Sequence, residues 1–114
     1  MAQAASQLDV TRSPQAIEVI PYGATFGAEI RGIDFARPVD RSIADAVQDA
    51  LAQHKVVWFR AAAMTPAQHV AFGRLFGELT VHPFVPHLDD HPEVVVLDNH
   101  KDNPVFSTDV WHSD

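Results

Sequence analysis

The sequence contains no cysteine, and this absence excludes two classes of site. A chain without thiols can form no disulfide and no cysteine-based zinc centre. Any metal ion must therefore be bound through imidazoles and carboxylates, and the chain has 7 histidines and 15 acidic residues to supply them. The lack of cysteine also suits a reducing compartment, so a cytoplasmic location is expected.

Long apolar runs and an excess of positive charge are missing as well. No run approaches the ~18–20 apolar residues that span a bilayer, and the first fifteen residues lack the apolar segment of a secretory signal. The formal net charge is −7, which argues against a nucleic acid or an anionic membrane surface as the main partner.

Glycine is sparse, and this excludes a glycine-rich phosphate loop. The five glycines occur singly along the chain, and no nucleophile-elbow pattern accompanies the serines. What the chain does contain is 46% hydrophobic and 20% charged residues over 114 positions. This length and composition predict one small globular domain.

Four segments have the pattern of β-strands, at residues 17–20, 28–33, 56–59 and 93–98. The first two flank the turn signal Pro21-Tyr22-Gly23 and are expected to pair as a hairpin, with Gly32 as a possible bulge. Residues 56–59 form a continuous apolar run, which is typical of a central strand buried on both faces.

Two segments have the pattern of helices. The first follows a cap at Asp40 or Ser42 and ends near His54, with an apolar stripe at Ile43, Ala46, Val47, Ala50 and Leu51. The second begins with the strong start signal Thr65-Pro66 and is expected to end at Gly77.

Side chains on these helices are expected to be structural. We expect His54 to lie at a helix end and His69 to be exposed, so that neither is a metal ligand. Phe72 and Phe76 are expected to lie in the core.

The last four residues, Trp111-His112-Ser113-Asp114, carry a candidate metal site. On an extended strand His112 and Asp114 would point to the same side, with their Cα atoms about 6.7 Å apart. An imidazole and a carboxylate so placed can supply two of the three ligands of the 2-His-1-carboxylate face that suits non-haem Fe(II). The pair alone is also compatible with a solvated surface. A purely local site that adds His87, His91 and His100 to His112 is a further alternative, although their spacing is irregular.

The segment from Thr80 to His87 is predicted to be a stiff, irregular loop. Pro83 and Pro86 lie beside His82 and His87, and such rigidity can hold a side chain at the wall of a pocket. An ordinary proline-rich connection would have the same composition.

Several separated stretches, taken in order, resemble the N-terminal part of the taurine dioxygenase group (the TauD/TfdA family) of Fe(II)- and 2-oxoglutarate-dependent dioxygenases. This group also includes 2,4-D dioxygenases and alkylsulfatases. The resemblance runs from about residue 17 to the end of the chain. The stretches that carry it are residues 26–34 (FGAEIRGID), 54–60 (HKVVWFR), 64–68 (MTPAQ), 76–79 (FGEL), His82-Pro83 and 111–114 (WHSD).

The resemblance implies a fold and a domain organisation. The expected fold is α+β, mainly β, and forms the N-terminal part of a double-stranded β-helix, or jelly roll, with flanking helices. Residues 17–114 would be the N-terminal portion of one dioxygenase domain, ending after the His-x-Asp motif, with residues 1–16 as a flexible lead-in.

The resemblance also implies a cofactor site. His112 and Asp114 would be iron ligands, with Fe(II) as the metal, 2-oxoglutarate as cosubstrate and O2 as oxidant. In this family a second iron-binding histidine and an arginine that binds 2-oxoglutarate lie much later in the chain. The 114 residues by themselves are therefore expected to be inactive, and the activity is expected of the parent enzyme.

The family likeness extends to the substrate. His82 matches the histidine that lies near the acidic head group in taurine dioxygenase, where a partly protonated ring could pair with an anion. Taurine enzymes have a tyrosine at the position of Val85 and an asparagine at that of Thr108. These departures favour a larger or more apolar anion than taurine.

The expected function is hydroxylation of a small anionic organic substrate with release of succinate and CO2. The substrate would be a sulfonate, a sulfate ester or an aryloxyalkanoate, and taurine catabolism is the typical setting of the family. A homo-oligomer, either a dimer or a tetramer, is expected. Two alternatives remain open: a non-catalytic jelly-roll-like binding domain, and a cupin-like metal-dependent hydrolase that uses Zn or Mn.

Overall fold

A three-stranded sheet and two helices make up the regular structure. The computed structural model describes residues 16–60, 62–98 and Trp111. Within them the sheet has the order β1-β2-β3, and no jelly roll is formed. The mixed content confirms the α+β prediction. In chain order the elements are β1 (Glu18–Pro21), β2 (Ala28–Arg31), α1 (Arg41–His54), β3 (Val57–Trp58) and α2 (Pro66–Arg74).

Most of the predicted lead-in, residues 1–15, lies outside the described part of the chain. Among the helices that are described, none is long and apolar enough to cross a bilayer.

The predicted hairpin of β1 and β2 is confirmed. The strands pair antiparallel with Val19 opposite Ile30, and the Tyr22 N–H donates to the Gly27 carbonyl at 2.8 Å. Pro21 is the last residue of β1 rather than part of the turn, which an edge position tolerates because proline donates no ladder hydrogen bond. Gly32 lies just after β2 with φ of +94°, so it ends the strand and forms no bulge within it.

The predicted strand at residues 56–59 is present in shortened form, but its predicted central position is wrong. β3 contains only Val57 and Trp58, pairs in parallel with β2, and has no second neighbour among the described strands, so β2 is the central one. The apolar run is divided between environments. Val57 and Phe59 pack against the core, whereas the Trp58 ring meets Tyr22 edge-on with ring centroids 5.5 Å apart.

The helix α1 covers one face of the sheet. Ile43, Val47 and Ala50 join Ile30 of β2 in a buried cluster, as the predicted apolar stripe requires. Leu51 was assigned to the same stripe, but it is 42% exposed. Leu51 lies on the same side of the helix as the stripe, but in the last turn no neighbouring element among the described residues covers it fully.

Both ends of α1 are defined by the backbone. Asp40 is the N-cap residue without a side-chain cap hydrogen bond, and Lys55 ends the helix in the left-handed conformation at φ of 70°. His54 is the last helical residue, and its carbonyl accepts from the Gly27 N–H at 2.7 Å. The prediction that His54 is an end-of-helix residue is confirmed.

The start of α2 is confirmed, and its predicted end is wrong. Thr65 and Gln68 form a capping box: Thr65 Oγ1 accepts from the Gln68 N–H at 3.2 Å, and Gln68 Oε1 accepts from the Thr65 N–H at 2.8 Å. The helix ends at Arg74 rather than at Gly77, because tight-turn hydrogen bonds replace the helical pattern beyond it. The Arg41 guanidinium also donates to the Leu75 carbonyl at 2.7 Å.

Edge-to-face aromatic contacts connect α2 to the sheet. The Phe72 ring lies between those of Phe35 and Phe59, with centroid distances of 5.0 and 5.8 Å, and Phe76 adds a further contact at 5.1 Å. Phe72 is half-buried, as a packing role requires, whereas Phe76 is 38% exposed at the edge of the cluster.

Candidate functional site

The described residues include two of the five predicted site residues, and both lie in one loop. His82 and Val85 belong to the segment of residues 80–87, which we call the site loop. Thr108, His112 and Asp114 lie outside the described part of the chain, so the spatial relation of the predicted metal pair is not defined. Trp111, which precedes that pair, is fully exposed.

The ring of His82 organises the site loop. Its Nδ1 atom accepts two backbone hydrogen bonds, from the Phe84 N–H at 3.2 Å and from the Val85 N–H at 3.1 Å. The loop thus turns back on the side chain, much as an Asx turn does around an aspartate or asparagine. His82 itself is exposed. The predicted stiffness therefore comes from the histidine as well as from the prolines.

Val85 contributes to this arrangement through its backbone. Its side chain is half-buried, and its N–H is one of the two donors to His82. The sequence interpretation considered only the apolar side chain. The signal that could have revealed the backbone contact is Pro83: because proline has no N–H, the next amides able to reach the ring are those of Phe84 and Val85.

A short antiparallel contact closes the base of the site loop. His87 forms an isolated bridge with Val95, and the Leu88 N–H and Val96 N–H donate to the carbonyls of Val94 and Pro86 at 3.1 and 2.8 Å. The predicted strand over residues 93–98 is thus reduced to one bridge. Prolines at 86 and 92 remove the backbone donors that a longer ladder would need.

The same region is attached to α2. Arg74 donates to the Glu93 carboxylate at 2.9 Å, and the Glu93 side chain is only 18% exposed. Leu79 packs so closely over Gly73 that a Cβ added there would lie 3.2 Å from a Leu79 methyl carbon. These contacts attach Leu79, which precedes the site loop, and Glu93, which follows it, to the same helix. His69, also on α2, is exposed as predicted.

An ion cluster on the sheet was not foreseen from the sequence. The buried Glu29 carboxylate of β2 receives Arg31 at 2.9 and 3.1 Å and Arg60, which follows β3, at 3.2 Å. The hydrogen bond from Arg31 chiefly lowers the pKa of Glu29; burial opposes this effect and Arg60 adds to it. The same bond chiefly raises the pKa of Arg31.

This cluster has a structural role, since it links β2 to the end of β3. The pair formed by Glu29 and Arg31 could have been predicted, because residues two apart in a strand point to the same side and these two carry opposite charges. The contribution of Arg60 depends on the pairing of the two strands.

Metal binding is supported by residue type alone. Within residues 16–60 and 62–98 no group of three or more histidines and carboxylates could hold a metal ion, so His87 and His91 form no such group there. His100 and His112, the other members of the alternative local site, lie outside the described residues. The imidazole and carboxylate of the His112-x-Asp114 motif are donors of the kind that a ferrous site uses.

Known proteins provide an independent comparison. Residues 18–114 match the family described as taurine catabolism dioxygenase TauD, TfdA family. An alpha-ketoglutarate-dependent sulfate ester dioxygenase of Pseudomonas putida is 34% identical over 112 residues, which are 96% of this chain and 36% of that protein. An alkylsulfatase of Acinetobacter baylyi is 33% identical over 101 residues, which are 88% of this chain and 31% of that protein.

A solved structure agrees with these relatives. A taurine dioxygenase from Burkholderia xenovorans superposes with a TM-score of 0.62 and 44% identity, covering 67% of this chain and 28% of the other. The chain thus spans about a third of the length of the curated relatives that it matches.

Proposed function

The chain belongs to the TauD/TfdA family of dioxygenases, and we propose that the enzyme it forms part of hydroxylates a small anionic organic substrate while converting 2-oxoglutarate to succinate and CO2. The observation that carries this proposal is the family match, which extends through residue 114 and includes the His-x-Asp motif. The similarity to an alpha-ketoglutarate-dependent enzyme over 96% of the chain supports it. A jelly roll is the fold that we propose for the complete domain.

His112 and Asp114 are the residues that we assign to the iron. Their imidazole nitrogen and carboxylate oxygen suit Fe(II), and a ligand set of this kind leaves coordination positions open. Bound iron, with 2-oxoglutarate and O2, supplies the oxidising power that the reaction needs. The protein positions the substrate beside it.

The site loop is the part of the described structure that we assign to the substrate. His82 would contact an anionic oxygen, Val85 would offer an apolar side chain, and Thr108 would line the site where taurine enzymes have a more polar residue. The relatives named as a sulfate ester dioxygenase and an alkylsulfatase favour an alkyl sulfate. We therefore propose a sulfate ester, rather than taurine, as the preferred substrate.

Succinate formation by the complete enzyme tests this assignment. The enzyme is supplied with Fe(II), O2 and 2-oxoglutarate, together with taurine, an alkanesulfonate, an alkyl sulfate or an aryloxyacetate in parallel. We expect the alkyl sulfate to give the highest kcat/KM. Taurine as the best substrate would overturn the substrate assignment.

A second measurement distinguishes the enzyme class. Anaerobic addition of Fe(II) and 2-oxoglutarate should produce a weak visible charge-transfer band in an oxygenase. A hydrolase that uses Zn or Mn, or a non-catalytic binding domain, predicts no such band. Absence of both the band and succinate would refute the proposed chemistry. The cytoplasmic location, the homo-oligomeric state and the absence of nucleic-acid and membrane partners remain predictions.

A further inference from the structure

We propose that the site loop holds His82 in the tautomer protonated on Nε2, so that the Nε2–H group donates a hydrogen bond to the substrate. The identity of the acceptor, an anionic oxygen of the substrate, rests on the proposed function. The tautomer rests only on contacts within the loop.

The two backbone amides determine which ring nitrogen carries the proton. The N–H groups of Phe84 and Val85 can only donate, and both are directed at Nδ1, at 3.2 and 3.1 Å. Nδ1 must therefore present its lone pair, and in a neutral ring the proton lies on Nε2. Rotating the ring by half a turn would replace the acceptor with a C–H group and leave both amides without their partner.

The sequence around the histidine favours this arrangement. Pro83 fixes its own φ near −65° and brings no N–H to the turn, so the two amides that follow it can converge on the ring. The Phe84 ring also lies edge-on to that of His82, with centroids 6.4 Å apart. Two hydrogen bonds and one ring contact thus restrict the orientation of the imidazole.

The remaining nitrogen is available to a ligand. His82 is exposed, and none of the contacts among the described residues uses Nε2. With Nδ1 engaged in the loop, the Nε2–H group can donate one directed hydrogen bond to a sulfate or sulfonate oxygen.

Proton-detected NMR of the complete enzyme, labelled with ¹⁵N, tests the tautomer directly. Long-range ¹H–¹⁵N spectra of the neutral ring should show His82 protonated at Nε2. Replacement of His82 by alanine should make the Phe84 and Val85 amides exchange with solvent about fivefold faster, as the loss of one exposed hydrogen bond predicts. An Nδ1-protonated ring, or unchanged amide exchange, would overturn the inference whatever the enzyme oxidises.

Two amide-bearing variants separate the roles of the two nitrogens. In His82→Asn the side-chain oxygen can take the place of Nδ1, so amide protection should persist while the donor at Nε2 is lost. In His82→Gln the longer side chain can place an N–H near the position of Nε2 while the loop hydrogen bonds are lost.

The complete enzyme provides the ligand measurement, with hexyl sulfate as the probe. We expect KM for hexyl sulfate to rise about tenfold in His82→Asn and clearly less in His82→Gln, since one directed hydrogen bond accounts for such a factor. An equal rise in both variants would overturn the donor role. If the NMR spectra show the Nε2–H tautomer but the enzyme forms no succinate with any substrate, only the proposed function is contradicted.

Discussion

The surroundings of the Glu29 carboxylate predict that the stability of the fold depends on pH. Its pKa is lowered in the folded state from an ordinary value of 4.5, mainly by the Arg31 hydrogen bond. As the pH falls, the unfolded chain therefore takes up this proton before the folded chain does. The stabilisation is fully present above the ordinary pKa and is lost as the pH falls through the lower, folded value.

Replacing Glu29 by glutamine tests this linkage. The variant should be less stable than the unsubstituted protein at about pH 6, and the difference should narrow as the pH is lowered below 4.5 and Glu29 takes up its proton in the folded state. Urea denaturation on both sides of pH 4.5 measures the free energies of unfolding. Asp45→Asn, which removes an exposed pair with Arg41 at 3.0 Å, is the control and should change little. If the difference in free energy of unfolding between the Glu29 variant and the unsubstituted protein does not change with pH, the proposed linkage to Glu29 is wrong.

At the scale of elements, the capping box of α2 makes a separable contribution to stability. Thr65 and Gln68 satisfy each other's backbone N–H groups, and these donors have no partner inside the helix. We expect Thr65→Ala to lower the free energy of unfolding by about 1 kcal/mol. Urea denaturation followed by circular dichroism measures the loss.

A matched control is available in the other helix. Ser42 is exposed in the first turn of α1, whose N-cap residue is Asp40 and forms no side-chain cap hydrogen bond. Ser42→Ala should change the free energy of unfolding by less than about 0.5 kcal/mol. Equal effects of the two substitutions would show that the capping box adds nothing beyond a general loss of a hydroxyl group.

Element predictions succeeded where the signal was local. The start of α2 and the hairpin of β1 and β2 depend on residues close in sequence, and both are confirmed. The predicted end of α2 at Gly77 and the predicted strand at residues 93–98 are wrong. At the end of α2, tight-turn hydrogen bonds replaced the helical pattern before Gly77, and in residues 93–98 the prolines at 86 and 92 removed backbone donors that a longer ladder would need.

At the scale of the whole molecule, the assignment depends on the metal ligands. In the complete enzyme we expect His112→Ala and Asp114→Ala each to lower succinate formation by at least about 100-fold, since even outer-shell partners of metal ligands account for ten- to a hundredfold. Anaerobic titration with Fe(II) and 2-oxoglutarate should show loss of the charge-transfer band in both variants.

The control for these variants is His69→Ala, because His69 is exposed on α2 and has no part in the proposed site. This variant should retain both activity and the band. If His112→Ala and Asp114→Ala behave like the control, the motif is an ordinary surface pair and the iron assignment is wrong.

The sequence by itself determined the α+β class, the helix start at Thr65-Pro66, the His82-Pro83 loop and the family. Each of these depends on residue types at short spacing, or on an ordered set of such stretches, so no knowledge of distant contacts was needed. It also indicated His112 and Asp114 as iron ligands, a prediction that the described residues leave untested.

Only the tertiary structure decided that β2 is the central one of the three described strands and that Glu29 joins Arg60 across a strand pair. A hydrophobic residue in the sequence indicates that its side chain is buried, but it does not indicate which residues will cover it. Burial and the pairing of ions on different strands are set by the surfaces that meet when the chain folds.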